Sequence, residues 1–269
     1  MSQFADPFFA LFWVTRLLAW AELVHTLEMV INWRLYQDHD LLGWAWLQTK
    51  RGFLQRRGLF KQIFPFPNIM VLLVLRVVAG LWLVLWPTPT LFTVAAMATI
   101  FGTSLLLNLR HFPFSFTAAH RMGIVISGAL FCYHLSSSLL VAQATLWFLA
   151  GQVCLSYTTA GVIKLKNRSW RQGGGLAQVI NTPMIGSPKW AAVISQRHMS
   201  WLKGINWFTL LIQCTFFLVL MIGHPFYLIY LGWGILFHLG NGFLFGLNKF
   251  VWVWPATYPA IAYIVFRGT

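Results

Sequence analysis

Ile69-Met70-Val71-Leu72-Leu73-Val74-Leu75-Arg76-Val77-Val78-Ala79-Gly80-Leu81-Trp82-Leu83-Val84-Leu85-Trp86-Pro87 is apolar throughout apart from one arginine. Its length matches the roughly 20 residues that an α-helix needs to cross a bilayer's hydrocarbon core, whereas a soluble amphipathic helix interleaves polar residues along one face. The pattern recurs along the chain. Candidate spans fall at roughly 8–31, 69–87, 90–108, 122–136, 139–165, 204–222, 225–244 and 249–266. The 269 residues are 58% apolar and 9% charged. An average soluble domain carries about a quarter charged residues, so lipid is the solvent for most of this surface. The expected fold is all-α: a polytopic transmembrane helix bundle of about eight spans, forming one integral membrane domain over residues 1–269.

Orientation follows from the basic residues. Arg34, Lys50, Arg51, Arg56, Arg57 and Lys61 follow the first span, and Arg110 and Arg121 the third. Lys166, Arg168, Arg171, Lys189, Arg197 and Lys203 follow the fifth, and Lys249 the seventh, while the connections between hold none. The positive-inside rule makes the basic side cytoplasmic, with both termini outside. The long connections 32–67 and 166–203 mix tryptophans and leucines with these cations. That suits interfacial helices in the cytoplasmic loops, with a solvated basic loop an equal reading. The location expected is multi-pass, in a bacterial inner (plasma) membrane.

In a soluble protein a net charge of +14 points to nucleic acid. Beside apolar helices the expected partner is instead membrane lipid with anionic head groups, and no nucleic acid. Cys132, Cys154 and Cys214 lie in apolar runs without metal-ligand or disulfide spacing.

Asp6, Glu22, Glu28, Asp38 and Asp40 are the only acids, so any carboxylate chemistry belongs to the first helix or its flank. Ionisable groups at membrane depth are costly, by about 2.5–3.5 kcal/mol each on insertion scales, and are functional candidates by default. Glu22, His25 and Glu28 sweep one arc of the first span. Glu22 and His25, with Arg76 of the second span, are candidate substrate-binding residues. A buried ion-pair network between the acids and Arg76 is the blander reading. Glu-x-x-His resembles half of a di-metal ligand set, but the chain has no second copy, and no metal is expected. Three in-span cations, Arg16, Arg76 and Lys164, outnumber the two in-span acids. Arginine stays charged, so Lys164 is the one able to shed its proton, and a neutral amine in a dry pocket is a usable general base. Snorkelling of Lys164 to the interface is the alternative.

Tyr157-Thr158-Thr159-Ala160-Gly161-Val162-Ile163-Lys164-Leu165 followed by Trp170-Arg171-Gln172-Gly173 resembles the signature of vitamin K-dependent γ-carboxylase-like membrane proteins, the horizontally transferred transmembrane (HTTM) group. Phe237-His238-Leu239-Gly240 with Phe250 and Trp252 is similar to that group's late helix. The resemblance implies a membrane-embedded enzyme in which Lys164 deprotonates a reduced quinone or another lipid-soluble substrate. The quinone then reacts with oxygen to give a strong base for carboxylation, with a peptide among the substrates that the resemblance allows. It also implies catalytic roles for Tyr157 and His120 and substrate-binding roles for His238 and Trp170. Where the group often carries an acid in its later helices, Gln213 stands here.

The competing class is a non-enzymatic accessory or structural subunit, packed against partner membrane subunits or holding a hydrophobic ligand. A transporter has little support, since paired inverted halves are not visible.

Overall fold

The computed structural model describes residues 2–38, 40, 42–49, 58–111, 118–182 and 199–267. The expected contributions of Leu41, Lys50, Arg51, Arg56, Arg57, Lys189 and Arg197 lie outside the described residues. Within them every element is helical. Five helices are long and apolar enough to cross a membrane: α1 (Pro7–Ile31), α4 (Asn68–Leu85), α5 (Leu91–His111), α7 (Leu139–Lys166) and α11 (Tyr227–Phe245). Shorter helices lie between them. They are α2 (Trp44–Thr49), α3 (Gly58–Ile63), α8 (Arg168–Arg171) and α9 (Gly175–Ile180).

Three of the eight expected spans take another form. α6 (Ala118–Ser136) is helical but carries His120, Arg121, Ser127 and His134 among its apolar residues. The stretch 204–222 divides into α10 (Met199–Cys214) and a 3₁₀ turn, Phe216–Leu220. The last stretch breaks into α12 (Asn248–Val253), a 3₁₀ turn beginning at Pro255, and α13 (Tyr258–Arg267). Pro255 has no N–H to continue the helical ladder, and at about 1.5 Å per residue α13 is far shorter than a bilayer core. Among the described residues, five helices are thus long and apolar enough to cross a membrane, which supports a multi-pass membrane protein.

The chain divides into two compact units: residues 12–142, and residues 1–11 with 143–269. In the first, α4, α5 and α6 pack in sequence as neighbours. α4 displays the inside-out pattern of a lipid-bathed helix. Val71, Val74, Leu75, Val78, Leu81 and Leu85 are exposed, while Arg76 is buried on the opposite face with Leu72, Leu73, Ala79, Gly80 and Leu83. Met29, Tyr36, Ile69, Leu72, Leu73 and Leu107 form one apolar cluster of this unit, and Trp44, Leu47 and Phe64 form another.

Arg110 holds the end of the first unit together. The expected third span stopped at residue 108 and left Arg110 in a loop, but α5 runs on through it and its side chain is 1% exposed. Its Nε donates to the Phe64 carbonyl at 3.2 Å and its Nη2 to the Leu42 carbonyl at 2.8 Å, with the guanidinium 5.0 Å from the Tyr36 ring centre. Burial pushes the Tyr36 phenol up to about 12, an effect that the Arg110 charge opposes. Two loop carbonyls and a ring face thus pin Tyr36, Leu42 and Phe64 to the end of α5.

In the second unit, α11 packs on α12, and α8, α9 and α10 pack on one another. α7 meets α10 at Gly161, where a Cβ would fall 2.7 Å from the Cys214 backbone nitrogen. Only a residue without a side chain permits that approach, and it sets which residues of α10 face Lys164.

Candidate functional site

Lys164 lies in the last turn of α7, three residues past Gly161. Its Nζ donates to Gln213 Oε1 at 2.9 Å. It also sits 5.4 Å from the Trp170 ring centre and 6.0 Å from that of Phe237. Lys164 is half-buried, and Gln213 is 1% exposed. An amide oxygen accepts the hydrogen bond without supplying a counter-charge, while the rings screen the amine from water and attract it when protonated. In this unit the sequence offers one acidic side chain, Asp6, whose Oδ1 accepts from the Phe8 backbone N–H at 3.0 Å.

Trp170 reaches Lys164 because the glycines after it leave room. A Cβ on Gly175 would fall within 2.7 Å of the Trp170 ring carbon Cε2, and Gly173 turns the chain at φ +87°. Asn206 Nδ2 donates to the Gly173 carbonyl at 2.6 Å and fixes that turn. The Gly173-Gly174-Gly175 run is therefore a packing device beneath an aromatic ring.

Tyr157 lies two turns before Lys164 on α7, and both side chains meet α11. The Tyr157 hydroxyl is 2.6 Å from His238 Nε2 and 3.0 Å from the Tyr258 hydroxyl. Phe216 stacks on the Tyr157 ring at 4.0 Å between centroids, and Trp254 on the His238 ring at 4.9 Å. Gly234, one turn before His238, makes room for the two tyrosine hydroxyls, since a Cβ there would collide with that of Tyr258. His238 is 2% exposed, and its Nδ1 has no hydrogen-bond partner among the described residues.

The other four expected residues belong to the unit of residues 12–142. Arg76 Nη2 pairs with Glu22 Oε2, and both side chains are buried. The same guanidinium donates to Thr26 Oγ1 at 3.0 Å, the Ile100 carbonyl at 3.0 Å and Thr103 Oγ1 at 2.5 Å. These donors are spent inside the protein, an arrangement that suits a structural ion pair better than a substrate clamp. His25 and His120 meet through their Nε2 atoms at 3.2 Å, with Glu28 Oε2 3.8 Å from His25 Nδ1. Among the described residues, no three His, Cys, Asp or Glu side chains gather to hold a metal ion. Arg16, the third in-span cation, lies over the rings of Phe12 at 5.4 Å and Trp13 at 5.7 Å.

Lys164, Tyr157, Trp170 and His238 thus share one unit, and Glu22, His25, Arg76 and His120 the other. Sequence reasoning did not single out Tyr258 or Gly234. The available signal was Gly234 standing one helical turn before a histidine. No protein-family model, curated protein or solved structure matches the chain.

Proposed function

We propose that this chain is a membrane-embedded enzyme of the carboxylase-like (HTTM) kind, in a bacterial inner membrane, with Lys164 as general base toward a lipid-soluble hydroquinone. The observation that carries this reading is the amine's setting: one hydrogen bond, to a neutral amide at 2.9 Å, between two aromatic rings. A neutral lysine has two N–H bonds and one lone pair. Giving one N–H to Gln213 leaves the lone pair free to take a proton from a substrate hydroxyl. The resulting ammonium keeps the Gln213 bond and gains the attraction of the Trp170 and Phe237 faces.

A reduced quinone bound there would supply an acidic hydroxyl and, after deprotonation, its own reactivity toward oxygen. Trp170 and Phe237 offer flat apolar faces suited to a ring of that kind, and Gln213 holds the amine in place. Tyr157 of α7, His238 of α11 and Tyr258 of α13 form a separate polar cluster, able to hold a second polar atom of the substrate. Modification of a peptide by the activated quinone follows the family resemblance alone.

Lys164→Ala is expected to abolish turnover of a reduced naphthoquinone in nanodiscs while leaving the thermal unfolding midpoint within a few degrees of wild type. Wild-type turnover in that variant would end the enzymatic reading and leave the accessory-subunit or ligand-binding one.

A further inference from the structure

Four exposed cations gather at one end of the unit that contains Lys164. Lys166 closes α7, Arg168 and Arg171 lie on α8, and Lys203 of α10 backs onto the Gly173 turn, where a Cβ would fall 2.7 Å from the Lys203 Cβ. The backbone carrying them is fixed. Asn167 Oδ1 accepts from the Ser169 N–H at 2.9 Å, and the Gly174 N–H donates to the Ser169 carbonyl at 2.9 Å. Among the described residues no ion pair involves any of the four. The sequence has no acidic residue after Asp40. Like charges held this close repel, and the anions that relieve them must come from outside this part of the chain.

The flank leading to the patch identifies those anions. Leu155, Val162, Ile163 and Leu165 are exposed along the last turns of α7, so a lipid-facing apolar strip runs directly into the cations. An anion that meets both features carries its charge on an acyl chain. An acidic peptide satisfies the charges and leaves the strip uncovered. We propose that Lys166, Arg168, Arg171 and Lys203 form a docking surface for the phosphate groups of anionic phospholipids, anchoring this end of α7 at the membrane surface. The surface is independent of any chemistry at Lys164.

The test uses the full chain in nanodiscs of phosphatidylcholine, with and without phosphatidylglycerol, and native mass spectrometry to read the lipids retained on release. The wild type is expected to retain phosphatidylglycerol selectively, with retention weakening as salt rises. Combined Lys166→Gln, Arg168→Gln, Arg171→Gln and Lys203→Gln is expected to lower that retention at least about tenfold. A control, Arg34→Gln with Lys61→Gln, is expected to leave it unchanged. Should the fourfold variant not fold, Arg171→Gln and Lys203→Gln singly are each expected to weaken retention. Equal retention of the two lipids, undiminished retention in the variants, or displacement by inorganic phosphate or an acidic peptide as effective as by lipid would each overturn the proposal.

Discussion

A carboxylate beside Lys164 would hold the amine as an ammonium ion, whereas the Gln213 amide at 2.9 Å accepts its hydrogen bond without supplying a counter-charge. Gln213→Glu changes almost nothing in shape and supplies that missing anion. It is expected to lower turnover at least about tenfold with little loss of stability, because an opposite charge at this range favours the protonated amine. Undiminished turnover in Gln213→Glu would show that the neutral acceptor is irrelevant. Arg76 presents the opposite case, a cation fully committed to a buried carboxylate. Removing one partner leaves the other charge stranded, so Glu22→Gln is expected to cost about 3–5 kcal/mol in unfolding experiments, with Glu22→Met/Arg76→Met recovering much of it. If the single and double variants are equally unstable, the pair is not what the packing there depends on. The sequence singled out both residues because a charge inside an apolar run is conspicuous. From the sequence Arg110 reads as a loop cation, and its burial is not visible there because two of its partners are the backbone carbonyls of Leu42 and Phe64, which leave no trace in side-chain composition.

Gly161 does for an element what Gln213 does for a residue. A Cβ at 2.7 Å from the Cys214 nitrogen and 2.9 Å from its Sγ would push α10 away from α7. Gly161→Ala is therefore expected to cost about 1–3 kcal/mol and to lower turnover by lengthening the Lys164–Gln213 bond. Wild-type stability and activity would mean that the two helices tolerate separation. The motif containing Gly161 was visible in the chain, but its purpose was not, since the atom it avoids lies more than fifty residues away. Elements were legible where composition alone decides them. α4 and α7 occupy nearly the segments that their apolar runs predict. The runs at 204–222 and 249–266 read as spans from their apolar residues, yet one gives way to a 3₁₀ turn after Thr215 and the other breaks at Pro255. Hydropathy counts apolar residues and is blind to whether the backbone hydrogen bonds continue through them.

Among the described residues many leucines and valines are exposed, while Glu22, Arg76, Arg110 and His238 are buried among apolar side chains, an inversion of where a soluble protein places its charges. That inversion was readable from composition, since a chain with 9% charged residues cannot coat itself in polar surface. The polar interior was only partly readable: Lys164, Tyr157 and His238 stood out, whereas Tyr258 and Gln213 join them only through long-range folding. The whole reading depends on Lys164 working by losing its proton, and not merely by carrying positive charge. Turnover of a reduced naphthoquinone by Lys164→Arg in nanodiscs separates the two most directly, because arginine keeps the charge and does not deprotonate. Loss of activity to the level of Lys164→Ala, in a protein that unfolds at the wild-type temperature, is the predicted result, and turnover near that of wild type would contradict it.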